Sequence, residues 1–318
     1  MRLKNAIKLI FANFGATYKV LIYKLIVMAV LVAVGVFVLL PNFNQLIADS
    51  SLDKLFVAFG DIVKAIFRPS MDMSAAQQAF ADSLTAFTTY IRENVWQIVG
   101  LAGVISLFYF VGMFFTNIAN FSLGKMVNDY MSSLTKTGFT VGVFNSLGRA
   151  SLYSLIELAV SLVFYVAVIC LCFFIVWLIP SAILAIFLAL LVMVILLSVK
   201  QVFMSDFMPN AVADKMRTDK AFREAVKVPA GDFIRKFNNY FTINIIMLYA
   251  NVSFAVFTVG TGLLLTLPLT TLIITCFRFV SQYTTTGKKY YLAPEEIVRP
   301  PKNEEEEEED LIKKIDEE

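Results

Sequence analysis

The chain has 318 residues, 58% of them hydrophobic and 16% charged, with a mean hydropathy of +0.72 and a formal net charge of +2. This balance excludes an ordinary soluble domain and places the chain among integral membrane proteins, with one multi-span domain and tails as the simplest arrangement. Histidine is absent, which removes the commonest metal ligand and general base, and Cys170, Cys172 and Cys276 lie inside apolar segments as small fillers.

The net charge conceals a division. From Glu295 onward there are 12 acids and 4 bases, a net of −8, so the residues before it carry +10. A basic membrane part is followed by an acidic tail.

In chain order, Leu3, Ala6, Ile7, Ile10, Phe11 and Phe14 recur at helical spacing while Arg2, Lys4 and Lys8 take the other side. The pattern predicts an amphipathic helix over 1–19 lying in the membrane surface. A first span follows at about 20–40. It is longer than a signal peptide's apolar core and no small-residue cleavage pattern follows, so it reads as a retained signal anchor. Pro41 is expected to end that span and to open an insertion over 42–94. There Leu52, Leu55, Phe56, Phe59, Ile62, Val63, Ile66 and Phe67 form one helical face, with Pro69 as a stop. A second helix begins at Ser74, with Gln77 as its capping-box partner and Phe80, Leu84, Phe87 and Ile91 on one side. The pair is expected to cap the spans, with a binding lid as the sharper alternative.

Span two runs from about 95 to 118, with Trp96 at its start and Gly100, Gly103 and Gly112 as a close-packing face. After a mildly basic connector, the 42 residues from Leu158 to Val199 contain no charge. One helix of that length would run about 63 Å, twice a hydrocarbon core of about 30 Å. They are therefore two spans, at about 152–178 and 182–199, turned at Pro180 and Ser181, with Trp177 at the interface. A strongly basic connector over 200–236 leads to spans at about 240–259 and 262–280, joined at Gly260-Thr261-Gly262. The remainder, 286–318, holds the run Glu304 to Glu309 and is expected to be an acidic, disordered tail. The fold class is thus all-α: a polytopic membrane protein with six transmembrane helices as three hairpins, plus interfacial amphipathic helices.

Lysine and arginine concentrate in the N-terminus, the 119–149 and 200–236 connectors and the sequence after Arg278. By the positive-inside rule both termini are then cytoplasmic, in a plasma membrane. An amphipathic basic lead-in precedes a span three times, at Phe11 to Gly15, Phe144 to Gly148 and, more loosely, Phe233 to Tyr240. This predicts three degenerate copies of one hairpin unit. The third copy, with Ala221 to Ala225, Phe233 to Phe237, Val259 to Gly262, Pro268 and Tyr283, resembles several bacterial six-span families. Among these are the membrane domains attached to glycerophosphodiester phosphodiesterases. The resemblance covers roughly residues 1–285 in layout. It implies a bacterial membrane architecture and carries over no catalytic residue.

Charges within spans are the natural candidates for chemistry, because exposing one to lipid is costly. Aligning Gly15 with Gly148 sets Lys24 opposite Glu157, a candidate intramembrane ion pair that would act as a gate or coupling site, or as a plain structural pair. Pro268 is a candidate helix break. Asn244 and Asn251 mark a candidate polar path, and Asn117 and Asn120 are the other polar residues near spans; interhelical hydrogen bonding is the reading preferred for all four, with a polar substrate path as the alternative. Neither a catalytic residue, a metal site nor a cofactor is expected.

The leading expectation is a non-enzymatic scaffold or accessory factor, acting through cytoplasmic amphipathic helices and the acidic tail. The alternative is a transporter or channel for a small solute or lipid. The expected partners are the bilayer itself, anionic lipid headgroups at the basic segments and a protein that docks on the acidic tail; nucleic acid is not among them. A polar cavity between spans separates the two readings in favour of transport.

Overall fold

The computed structural model describes residues 2–50, 52–67, 72–179, 182–258 and 260–300. The chain is an all-α polytopic membrane protein. Its helices are α1 (Arg2–Ser50), α2 (Leu52–Phe67), α3 (Met73–Glu93), α4 (Val95–Ser133), α5 (Phe139–Asn145), α6 (Leu147–Leu178), α7 (Ala182–Phe203), α8 (Phe207–Val212), α9 (Thr218–Val226), α10 (Ala230–Phe257) and α11 (Leu263–Thr285). A short antiparallel hairpin, β1 (Tyr290–Ala293) and β2 (Glu296–Val298), follows. Among the described residues six helices, α1, α4, α6, α7, α10 and α11, are long and apolar enough to cross a membrane. The chain divides into two compact units, one of Met1–Leu25 with Met113–Glu318, the other Ile26–Gly112.

In the larger unit α6 packs on α7, α7 on α10 and α10 on α11. Their apolar far halves leave Phe173, Trp177 and Phe257 exposed, as side chains facing lipid are. The opposite end is closely packed. Residues 117–131 of α4, α5, α8, α9, the far end of α11 and the hairpin bury Leu123, Val127, Met131, Phe207, Met208, Phe277, Phe279, Tyr290 and Leu292 almost completely. Tyr153 stacks on Phe207 at 4.7 Å, and Tyr240 meets Phe277 edge-on at 5.0 Å. The strongly basic 200–236 segment lies here, so we call this the basic end.

Several expected boundaries move. The amphipathic stretch 1–19 and the first span belong to one helix that continues through Pro41 to Ser50. A proline inside a helix removes one backbone hydrogen bond without ending it when both flanks hold. The apolar stripe of the first turns is divided: Ala6 and Ile10, with their neighbour Leu9, are buried against protein, while Ile7 and Phe11 are exposed. An amphipathic stripe serves either purpose, and its pattern alone does not choose. Much of the 119–149 connector is helical, because α4 runs on to Ser133. The part of the tail at 290–298 is ordered as the hairpin. Of the three lead-ins, Gly15 sits inside uninterrupted α1, whereas Gly148 follows the α5–α6 break at Ser146 and Phe233 lies in the first turn of α10, so the proposed copies differ locally. The Pro180 turn, Pro69, Val259 and the glutamate run lie outside the described residues.

In the smaller unit α2 and α3 pack together through the small residues Ala58 and Ala65 and a Phe59–Phe80 ring contact. Phe56 and Phe59 remain largely exposed. The cap of α3 is Asp72, two residues before the expected Ser74: its extended backbone aims the carboxylate at the Ser74 and Ala75 amides, 2.9 and 3.3 Å away. These bonds satisfy donors that the helix leaves free.

Two outcomes follow. A β-carbon at Gly124 overlaps Met208 Sδ and meets Phe279 at 3.2 Å, while one at Gly148 meets nothing within 4 Å. Gly124→Ala is expected to lower unfolding stability by about 1–3 kcal/mol, and Gly148→Ala to leave it unchanged or raise it by up to about 1 kcal/mol, read by unfolding in detergent. The Ser74 hydroxyl bond, then the two amides, holds the Asp72 carboxyl below its ordinary value. A depressed carboxylate stabilises above its unfolded pKa, and that contribution is lost as pH falls through the folded one. Amide exchange at Ser74 and Ala75 is therefore expected to accelerate on acidification and in Asp72→Ala at neutral pH, and not in Asp72→Asn, which keeps a capping oxygen.

Candidate functional site: a charged cavity at the basic end

Glu157 and Lys200 are the charges that bracket the uncharged α6–α7 stretch, and the hairpin brings them together at its foot. Lys200 Nζ lies 3.0 Å from Glu157 Oε1 with both side chains 9% exposed, donates to Ser161 Oγ at 2.6 Å, and sits 5.6 Å from the centre of the Tyr165 ring. Tyr153, Glu157 and Ser161 are one turn apart on one face of α6, so the stripe is set by helical spacing. Next to the pair, Asn244 of α10 exchanges hydrogen bonds with Gln201 at 2.9 and 3.2 Å and donates to Ser198 at 2.9 Å. Lys236 pairs with Asp206, and Gln282 donates to Asn210 at 2.7 Å.

α11 supplies the remaining charge. Thr271, Thr275 and Arg278 follow one another at helical spacing, and Arg278 is 8% exposed. Its Nη1 reaches Tyr153 OH at 3.5 Å, the outer limit of a hydrogen bond, and among the described residues its Nε has no hydrogen-bond partner. Among the described residues no carboxylate lies within ion-pair distance of Arg278.

These groups surround an open-sided cavity of about 140 Å³, lined by Asn117, Asn120, Tyr153, Glu157, Lys200, Gln201, Thr275 and Arg278 together with apolar neighbours. Water needs roughly 10–15 Å³ by this measure, so the space holds several waters or one small ligand. Its formal charge is +1, from Lys200 and Arg278 against Glu157. Besides Arg278 Nε, Asn117 Nδ2, Asn120 Oδ1 and Glu157 Oε2 are buried without a hydrogen-bond partner. A buried polar group left unmatched costs about 1–3 kcal/mol, more when charged. Among the described residues two of these atoms are donors and two are acceptors, so the site is completed by water or by a ligand that both accepts and donates.

The candidates from sequence fall out as follows. Glu157 is in the site, but its partner is Lys200; Lys24 is half-buried on α1 and makes no ion pair among the described residues. The alignment of Gly15 with Gly148 failed because α1 is not broken where α6 begins. Pro268 is buried within continuous α11 and breaks nothing. Asn244 is locked in the Gln201–Ser198 network, and neither it nor Asn251, whose Oδ1 is buried unpaired, lines the cavity. Asn117 and Asn120 do line it. Arg278, Lys200 and Tyr153 are not among the candidates from sequence; the three-residue spacing of Arg278 to Thr275 and the four-residue spacing of Tyr153 to Glu157 are the available signal. Compared with known proteins, the chain matches no family model, no curated protein and no solved structure.

Removing one member of a buried pair costs about 3–5 kcal/mol, because the other charge is stranded. Glu157→Ala is expected to lower stability by that order, and the exchange Glu157→Lys with Lys200→Glu to recover most of it. Glu157→Lys with Lys24→Glu is expected to recover nothing. Unfolding midpoints of the purified variants decide between the two pairings.

Proposed function

We propose that this chain is a non-enzymatic membrane protein of the carrier or channel class that admits a small anionic solute, or the anionic head of a lipid, into the cavity between α4, α6, α7 and α11. The observation that carries the reading is Arg278, a guanidinium buried among spans with no carboxylate within ion-pair distance among the described residues. Charges at such positions mark ion and substrate pathways by default. A scaffold acting through basic connectors and an acidic tail gives this residue no task, so we place that reading second. We orient the basic end toward the cytoplasm of a plasma membrane, on the excess of lysine and arginine there. Binding is by charge and hydrogen bonding alone, with Glu157 holding Lys200 in place and Asn117 supplying a further donor.

The test is cysteine accessibility in a variant in which Cys170, Cys172 and Cys276 are replaced by alanine and single cysteines stand at Asn117, Leu197 or Thr275. A water-soluble thiol reagent is expected to label all three positions, and millimolar phosphate, sulfate or acetate to slow labelling. Adding Arg278→Gln is expected to abolish that protection while labelling persists. Positions that stay unlabelled with and without anions mean a dry interior, and the scaffold reading then takes first place.

A further inference from the structure

We propose that the structure carries a second ligand site, for a phosphate ester, in the pocket formed by the start of α1, α10, the end of α11 and the β-hairpin. It shares no lining residue with the Arg278 cavity and does not depend on the function proposed above. The pocket is about 490 Å³, within the roughly 300–1,000 Å³ of small-molecule sites.

Three guanidiniums from distant parts of the chain, Arg2, Arg235 and Arg299, line it, and among the described residues no acidic residue does. Arg2 and Arg235 are near enough for their charges to act on one another. Arg235 pairs with Asp232 at 2.8 Å along α10. Arg2 donates to Ser281 Oγ at 3.3 Å, and neither Arg2 nor Arg299 has a carboxylate within ion-pair distance among the described residues. The floor is rigid: Asn5 Nδ2 donates to Tyr290 OH at 2.9 Å, with both residues buried. Because the Tyr290 oxygen accepts there, its own hydrogen is free to donate into the pocket.

Among the described residues the lining therefore offers cations and donors, with Asp232 competing for Arg235 alone at ion-pair distance. That set recognises phosphate oxygens, which guanidinium forks match in pairs. Arg235 lies five residues before Tyr240, where the apolar part of α10 begins, and Thr284 lies after that of α11. The pocket is thus at the edge of the apolar zone, the depth of lipid headgroups, where basic pockets between spans hold anionic heads. A lipid phosphate and a soluble phosphate ester share the chemistry, and the volume exceeds what inorganic phosphate fills.

The full chain in an uncharged detergent is titrated with short-chain phosphatidic acid, phosphatidylglycerol and phosphatidylcholine, and with glycerol phosphate and inorganic phosphate, and bound ligand is counted by native mass spectrometry. Phosphatidic acid or phosphatidylglycerol, or glycerol phosphate if the source is soluble, is expected to bind. Arg2→Gln with Arg299→Gln is expected to weaken that binding by about tenfold or more, since hydrogen bonds to charged groups exceed the 1.4 kcal/mol of a tenfold change. The control pair Lys220→Gln with Arg223→Gln on α9 removes the same charge outside the pocket and is expected to leave it unchanged, as is Arg278→Gln. Both arginines are partly exposed, so the double variant is expected to keep the native unfolding midpoint. The proposal is overturned if no phosphate probe binds, if the Arg2 and Arg299 variant binds as the native chain does, or if the α9 control loses as much.

Discussion

Away from water, a charge persists only where the protein supplies what water would have supplied. The larger unit is arranged around that constraint. Lys200 with Glu157, Lys236 with Asp206, and Asn244 with Gln201 and Ser198 form a layer of matched polar groups between the foot of the spans and the packed basic end. Each match ties a different pair of elements, α6 to α7, α10 to the α7–α8 junction, and α10 to α7. Because a stranded partner costs several kcal/mol while an exposed pair contributes about 0–1, this layer fixes register more than the exposed Arg217–Asp219 or Lys227–Glu224 pairs do.

The packed end has a separate cause. α4 has 39 residues, about 58 Å of helix at 1.5 Å per residue, and a bilayer core of about 30 Å cannot cover it. Whatever emerges meets water, and there the hydrophobic effect operates as it does in a soluble domain. That is why Val127 and Met131 of α4 are fully buried while Leu107 and Phe115, on the same helix, are exposed. One helix obeys two solvents in turn. The Asn117–Asn120 polar pair marks the change between them, and the cavity lies at that level.

Six apolar helices were legible because length and hydropathy report a bilayer-sized solvent directly. The 42-residue uncharged stretch required a hairpin, and with it the chance that its two bounding charges meet; Glu157 was singled out, but the partner was sought in a supposed repeat. Helix ends were less legible. Pro41 and Pro268 look like stops, yet each removes a single bond from a helix held on both sides, and tertiary support outweighs that loss. The burial of Ala6 and Leu9 was hidden for another reason. A stripe of small and apolar residues fits a membrane surface and a protein groove alike, and only the partner distinguishes them. Arg278 was not legible because one sequence cannot show that Tyr153, three spans earlier, comes to meet it.

The choice of arginine at that position has a consequence for the cavity as a whole. A buried lysine can shed its proton and become neutral, whereas a guanidinium keeps its charge in any surroundings proteins offer. Lys200 and Arg278 share the one carboxylate Glu157, which pairs with Lys200 and also acts on Arg278, so one positive charge of the cavity is left unmatched. Among the described residues its balance must come from what enters: ordered water, whose dipoles compensate in part, or an anion, which compensates in full. A site in which only the visitor can complete the charge discriminates by sign before it discriminates by shape. That ordering suits a path through a membrane, where excluding cations matters at every encounter and fit to one particular anion matters only once it has arrived.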